Sequence, residues 1–479
     1  MARSVPTRGR SHDTTVDDTT QFGPTHTTGG AQKRGIPLFV NADTNEPEPF
    51  DPAELKAEGR INSTVLGVLG NKGHGKTATS IAIALRFRWR RAGNRRMSIC
   101  INDIRRNNAR PEYEKLCEYL GVEEVSLGNF RLNMLSQDLK LKPSELLTMV
   151  ARSLQFELAR QLTTKELKAL RYSLKMVLEF FEDDAELSTL MACMRRMNEG
   201  IARRFQNQIE QGKGDKYARH LARLERVLDT KPQITPGLLE TALELADTIE
   251  NLLDGEYGEM FGGDHSLASV MHTNKGLVAF DFSELSDDAL TQVLAMMWQV
   301  KTSAMRRGDH DLYYDIEIHD ESYTLWRNLE YARSMHKFLK QVRATGTFIV
   351  MNTHRLSDYE TVGSESSEQY KLATNMIDDI DMWLLGRHTP SAAEDTAKRL
   401  DLTDEEKQRL LHLERGVWGL KIGSEPVRWV YIDLTDDEAE VTYSDDANRE
   451  NTAEGMNEML ARALDEEAQQ AAQEDLAMA

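Results

Sequence analysis

The chain has 479 residues, 40% hydrophobic and 29% charged, which is ordinary for a folded protein and allows one large domain with an insertion, or two domains. Its net charge of −19 excludes a surface that coats nucleic acid indiscriminately, because such binding needs clustered Lys and Arg. No apolar run reaches the roughly 18–20 residues that span a bilayer, the arginine-bearing N-terminus MARSVPTRGRSHDTT has no apolar stretch behind it, and the three distant cysteines (Cys100, Cys117, Cys193) form neither a disulfide framework nor a CxxC metal pair.

The chain therefore reads as cytoplasmic, without a transmembrane segment. The charge is uneven. From Asp436 to the end there are 14 acidic and 2 basic residues, a net of −12, which leaves −7 for the rest. Basic patches remain possible on the folded part. Arg86-Phe87-Arg88-Trp89-Arg90-Arg91 with Arg95-Arg96 is one, to be weighed against a plain solvated helix end.

Residues 1–34 are rich in Thr, Ser, Gly and Arg and poor in large apolar side chains, a composition that predicts disorder. Ile36 to Asn41 predicts a strand, Ala42 to Asn45 a turn, and Glu48 to Asp51 a return. Pro47 and Pro49 restrict that return to a sheet edge. Thr64 to Leu69 is a short buried-type strand, followed by a glycine loop and a helix through Ala78 to Leu85. A second strand, Met97 to Ile101, closes at Asp103.

Between about 143 and 265 the pattern turns helical. Pro143 suits a first helical position, Thr163 with Glu166 fits a capping box, and Asp183 with Glu186 repeats that spacing. Leu167, Leu170, Leu174 and Leu178 fall on one face, and the strip Met191, Met194, Met197 has the spacing of a core. Strands then return at 277–281, 314–320, 348–351 and 382–385, separated by helical segments, which predicts a mostly parallel sheet covered on both faces. Residues 417–422 and 427–432 read as a hairpin. The end of the chain is acidic, with one possible amphipathic helix (Met456, Met459, Leu460, Leu464).

Gly70-Asn71-Lys72-Gly73-His74-Gly75-Lys76-Thr77 fits G-x-x-x-x-G-K-[ST], and its context of a buried strand before and a helix (from Ala78) after it is that of a P-loop. The glycines let the backbone fold around phosphate oxygens, and the helix start adds its positive dipole end. Lys76 is expected on the β- and γ-phosphates of ATP and Thr77 on Mg2+. His74 is expected to be a neutral spacer.

A P-loop needs a second anion for the metal and a base for water. The strand end Ile316 to Glu321 offers both: Asp320 to hold Mg2+ and Glu321 as the general base. His319 is expected to pack or hydrogen-bond locally. The strand ending in Asn352-Thr353-His354 makes His354 a candidate γ-phosphate sensor, against the alternative of a plain polar strand cap. Arg343 and Arg387 are candidates for an arginine finger acting on a neighbouring subunit, against the alternative of surface arginines. Asn274-Lys275 is not followed by the aspartate of N-K-x-D, which disfavours a GTPase.

In order, these parts resemble the HerA–FtsK superfamily, most closely the conjugation ATPases of type IV secretion systems, over about Ile36 to Tyr443. The pieces are Phe50-Asp51-Pro52, the Gly70–Thr77 loop, Asp103, Asn133-Met134-Leu135, Val278 to Ser283, Asp320 to Trp326, Arg343 to Gly346, Asn352-Thr353-His354, Leu402 to Glu406, Gly416, and Ile432 to Thr435. The resemblance implies an α/β fold: a RecA-like P-loop NTPase core with an all-α insertion. The expected division is a tail at 1–34, core at 35–142, helical insertion at 143–265, core at 266–445 and an acidic tail at 446–479.

The resemblance also implies a homo-oligomer, a hexamer, with ATP sites at subunit boundaries. Partners would be secretion or conjugation complex proteins or DNA, met in the cytoplasm or at the inner face of the membrane. The sequence departs from the family in two places. His354 stands where the family has glutamine, so it either substitutes as sensor or slows hydrolysis. About 35 residues precede the hairpin where conjugation ATPases carry a membrane-docking domain, so docking by that route is not expected. Three readings stay open: an ATPase powering conjugation or secretion, a DNA translocase or packaging motor, and a nucleotide-switched assembly protein with little turnover.

Overall fold

The computed structural model describes residues 35–71, 73–92, 95–104, 112–122, 124–127, 132–181, 184–195, 236–255, 261, 265–266, 271, 276–309, 313–321, 329–356 and 367–442. Both tails, Lys72, Asp183, Met197 and the Arg343 side chain lie outside this set. The chain forms two units, Met1–Ser98 with Ile380–Ala479, and Ile99–Asp379.

The first unit begins with β1 (Ile36–Asn41) and β2 (Pro47–Phe50), paired antiparallel with Ile36 opposite Phe50. β2 is an edge strand, where prolines forfeit few ladder bonds. Asp51 caps α1 (Pro52–Ala57), its carboxylate accepting from the Ala53 N–H at 2.9 Å. Then come β3 (Val65–Leu69), buried throughout, α2 (Lys76–Arg88), and a small ribbon of β4 (Arg91–Ala92) and β5 (Arg95–Arg96).

The second unit runs through β6 (Ile99–Asp103), α3 (Glu114–Leu120), β7 (Glu124–Ser126), β8 (Leu132–Asn133), α4 (Pro143–Glu157), α5 (Thr164–Phe180), α6 (Leu187–Arg195) and α7 (Pro236–Asp254). β9 (His265–Ser266), β10 (Leu277–Asp281), α8 (Asp287–Arg307), β11 (Ile316–Asp320), α9 (Leu329–Thr345), β12 (Phe348–Thr353) and α10 (Glu368–Asp378) complete it. Its strands lie in the order β12-β11-β6-β10-β7, all parallel. Helical crossovers between successive strands produce that direction.

The helices α4 to α7 occupy the stretch whose periodicity predicts an insertion. The expected Thr163–Glu166 capping box is present, and Leu170, Leu174 and Met194 are buried. The two-residue β9, paired to β8, is the one strand of that stretch among the described residues, and it has no sequence signal of its own.

The chain returns to the first unit with β13 (Met382–Leu385), α11 (Pro390–Leu400), α12 (Asp404–Leu411), β14 (Val417–Ile422), β15 (Arg428–Tyr431) and α13 (Asp436–Thr442). Strand order here is β2-β1-β15-β14-β13-β3. β3 and β13 are parallel, and the other pairs are antiparallel. Two of the antiparallel pairs, β1–β2 and β14–β15, are hairpins, whose short turns permit no other direction. Among the described residues no helix is long and apolar enough to cross a membrane.

Arg86 departs from the solvated helix-end reading. Its guanidinium binds both Glu438 oxygens at 2.8 Å and the carbonyls of Pro37, Leu38 and Asp433, tying α2 to α13 and β1.

In the second unit, a polar network fills one face of the parallel sheet. Glu317 and Cys100 are register partners, as are His319 and Asn102, so all four side chains project to the same side. Lys301 of α8 meets Glu317 Oε2 at 2.9 Å, and both are fully buried. Burial pushes the Glu317 carboxyl up, but Lys301 and then His319 outweigh it and hold it below the usual carboxylate range. His319 is pushed down by burial and packs locally, as its place in an apolar strand predicts. In the first unit, His388 is likewise buried and pushed down. Its Nδ1–H donates to the Gly386 carbonyl at 2.6 Å, and its Nε2 lies 3.1 Å from the Thr396 hydroxyl, which can donate to the neutral ring.

Removing one member of the buried pair strands the other. Glu317→Ala is expected to cost about 3–5 kcal/mol in denaturant unfolding, while Lys301→Met combined with Glu317→Leu recovers most of the loss. The histidines set a pH dependence. Their folded pKa lies below the unfolded value of about 6.5, so the folded state binds fewer protons and stability falls as pH drops below that value. The thermal midpoint is expected to fall from pH 7 to pH 5, above the carboxylate range. His388→Asn, which keeps a donor for Gly386, is expected to flatten the fall.

Candidate nucleotide site

The P-loop residues belong to the first unit. β3 delivers the loop and α2 begins at Lys76, with Gly75 as its N-cap. Gly73 (φ +79°) and Gly75 (φ +102°) take left-handed conformations that side chains rarely adopt. Gly75 has no side chain to cap the helix, and the first turn holds no acidic residue. The positive end of α2 therefore faces the loop without a carboxylate of its own, which suits an anion. Lys76 is buried and spans the loop, Nζ donating to the Gly70 carbonyl at 2.9 Å and approaching that of Asn71 at 3.4 Å. Thr77 and Ala78 follow in the first turn, half-buried.

His74 is neutral as expected. Burial pushes its pKa down, and the charges of Lys76, Arg415 and Arg387 add to that. The ring is more than a spacer, however. It meets Trp418 edge-on at 4.8 Å, and its Nε2 lies 3.0 Å from the Val417 carbonyl, which makes Nε2–H a donor. Gly386 leaves the room for it, since a Cβ at that position would come within 2.4 Å of the imidazole. The ring thus clamps the loop to the strands that follow β3 in the sheet. A pocket of about 300 Å³ opens here, lined by Asn71, Gly73, His74, Arg387, Leu413 and Arg415.

The strand-end acidic residues belong to the second unit. Asp320, Asp103 and Asp281 are register partners at the carboxyl ends of β11, β6 and β10, the edge where open parallel sheets place ligands. Asp320 is buried, Oδ1 accepting from the Asn352 amide at 3.1 Å and Oδ2 from the Tyr113 hydroxyl at 2.9 Å. These two donors fix the carboxylate's orientation. Glu321 has φ +54°, a strained value for a non-glycine residue, and turns the chain sharply after Asp320. Its Oε1 lies 3.2 Å from His354 Nε2, so the expected base and the expected sensor touch.

Of the residues singled out by sequence, Asn71, Gly73, His74 and Arg387 share one pocket, with Gly70, Gly75, Lys76, Thr77 and Ala78 forming its loop and helix start. Asp320, Glu321 and His354 form a second group. Arg387 is exposed beside its own chain's P-loop. Arg343 lies on α9, its side chain outside the described set. Sequence reasoning missed Tyr113, Leu413 and Arg415, which stand far from the motifs in the chain and carry no local pattern. Asn352 adjoins the predicted sensor, but its bond to Asp320 follows only from the pairing of β11 with β12.

No protein-family model matches the chain, and no curated protein sequence does. Among solved structures it is similar to VirB4 of Thermoanaerobacter pseudethanolicus, with a TM-score of 0.57 and 16% identity over 87% of this chain and 100% of that one. The plasmid coupling protein TrwB, solved in complex with ADP and Mg2+, aligns at a TM-score of 0.47 and 16% identity over 85% of this chain and 90% of that one. The fold assignment rests on the first of these. The chain has the α/β, RecA-like P-loop fold of VirB4, with a mostly parallel sheet and, in the described part of the stretch read as an insertion, the helices α4 to α7.

Proposed function

We propose that the chain is an ATPase, a hexameric motor that powers conjugative transfer or secretion of macromolecules. The observation that carries this reading is the start of α2: a glycine-framed helix N-terminus without a carboxylate, crossed by a buried lysine and opening into a pocket with two arginines. That arrangement fits the phosphates of a nucleotide.

In this reading the N–H groups of the loop and the first turn of α2 hold the phosphate oxygens. Lys76 places its charge on the β- and γ-phosphates. Thr77 and Asp320 would hold Mg2+, which when bound neutralises charge on the phosphate oxygens. Asn352 and Tyr113 keep Asp320 aimed. Glu321 takes the proton of the attacking water, and His354 positions its carboxylate. Arg387 and Arg415 add positive charge in the chain's own pocket, while Arg343 is assigned to a neighbouring subunit's site. The proposal places P-loop and acid pair on one nucleotide. The likeness to VirB4 supports the setting of conjugation or secretion.

The Glu321–His354 contact favours a second reading, a nucleotide-switched assembly protein with slow turnover, because a base held by histidine is partly withdrawn from water. Steady-state ATP hydrolysis, with oligomer mass measured alongside, separates the two. The motor reading expects Lys76→Ala to lose activity by about 100-fold or more, and Glu321→Gln to lose it while still binding ATP. It also expects wild-type turnover to increase in the oligomer. Strong stimulation by DNA would assign the motor to DNA translocation. Oligomers that form with ATP in both wild type and Glu321→Gln, with negligible turnover in either, would assign the switch. Unchanged turnover in Lys76→Ala would remove the ATPase reading.

A further inference from the structure

The helices α4 to α7 contribute no residue to the nucleotide site, and two of them carry opposite charge on their outer sides. On α5 the exposed charged side chains are Lys165, Lys168, Arg171 and Lys175, all basic. Spaced three, three and four apart, they follow one side of the helix for about 15 Å. On α7 the exposed charged side chains are Glu240, Glu244, Asp247 and Asp254, all acidic, and the helix holds no Lys or Arg. Their spacing of four, three and seven makes a second stripe of about 21 Å.

Among the described residues none of the four bases has an ion pair, and of the four acids only Asp247 does, to Arg195 at 3.3 Å. Leu243, 40% exposed, stands within the acidic stripe, and the half-buried Tyr172 stands beside Arg171.

Helix stability explains neither stripe, because like charges three and four residues apart repel. The stripes do not neutralise each other within the molecule either. α5 and α7 pack on one another with their apolar sides buried (Leu170 and Leu174, Leu245 and Ile249), and no ion pair joins the two stripes. The acidic end of the chain, net −12 from Asp436, would answer α5 alone and leave the acidic stripe of α7 unmatched. A second copy answers both, since it offers a basic and an acidic stripe of like length. We infer that these helices form a self-association surface, the basic side of α5 in one copy docking on the acidic side of α7 in another, with Leu243 and Tyr172 adding apolar contact.

A single exposed ion pair adds little, so the affinity comes from the stripes acting as sets and is weakened by salt. The contact gives a face to the oligomer proposed above but needs no nucleotide, so it does not depend on the ATPase assignment.

The test is sedimentation of the full chain without nucleotide, at about 0.05 M and about 0.5 M salt. The mean mass of wild type is expected to rise with concentration at low salt and to fall at high salt. Lys165→Glu, Lys168→Glu and Arg171→Glu together, or Glu240→Lys, Glu244→Lys and Asp254→Lys together, should each weaken self-association about tenfold or more. Mixing the two variants should restore association, because each offers the charge that the other's stripes lack. A chain carrying all six substitutions should associate again, which a folding defect would not do. Lys76→Ala should associate as wild type does, so a failed ATPase reading leaves this test intact. Wild type that stays a monomer at low salt, or a mixture as weak as its two parts, overturns the inference. Association lost with the α5 set but unchanged with the α7 set also overturns it, and assigns the basic stripe to the acidic end of the chain.

Discussion

The positive end of α2 is the constraint on which the site depends. A helix that starts at a glycine, with no acidic residue in its first turn, leaves its dipole and leading N–H groups without an anion from its own side chains. Lys76 adds a full charge at the same place, and Arg387 and Arg415 line the pocket in front. Concentrated positive charge of this kind is unfavourable unless an anion comes to it. The rest of the first unit holds the loop in that shape, with His74 seated against Gly386 and Trp418 so that the cradle keeps its form.

The second unit solves a different problem, that of presenting carboxylates at a strand end. One face of β11 carries Ile316, Ile318 and Asp320, and the other carries Glu317 and His319. The polar face packs on α8, where Lys301 neutralises Glu317. Sliding β11 by one residue would exchange the faces, setting an isoleucine where Glu317 now meets Lys301 and turning Asp320 to the other face of the sheet. The buried pair therefore penalises a shift of register and fixes where Asp320 emerges. Tyr113 and Asn352 complete its orientation, and the strained backbone at Glu321 directs the next carboxylate elsewhere.

Local chemistry was legible in the sequence wherever a short segment decides its own structure. The strand–loop–helix around Gly70–Thr77, the Thr163–Glu166 capping box, the proline-marked edge strand and the hairpin after Val417 all depend on neighbouring residues, and all were read correctly. Contacts made by distant residues were not legible. Tyr113 reaches Asp320 across 207 positions, and His74 reaches Val417 across 343. Arg86 looked like a surface arginine because its partners, Glu438 and three carbonyls, come from other elements. The assembly implied by the resemblance, a hexamer with shared sites, rests on surfaces that a single chain's periodicity does not encode.

The central claim is that the P-loop and the strand-end carboxylates serve one metal-bound nucleotide. A crystal structure of the chain with a non-hydrolysable ATP analogue and Mg2+ tests it most directly. The account predicts Lys76 Nζ on the β- and γ-phosphates, and Thr77 and Asp320 both at the metal, directly or through its water shell. A nucleotide seated away from the Gly70–Thr77 loop, or Asp320 tens of ångströms from the phosphates that Lys76 holds, would contradict it.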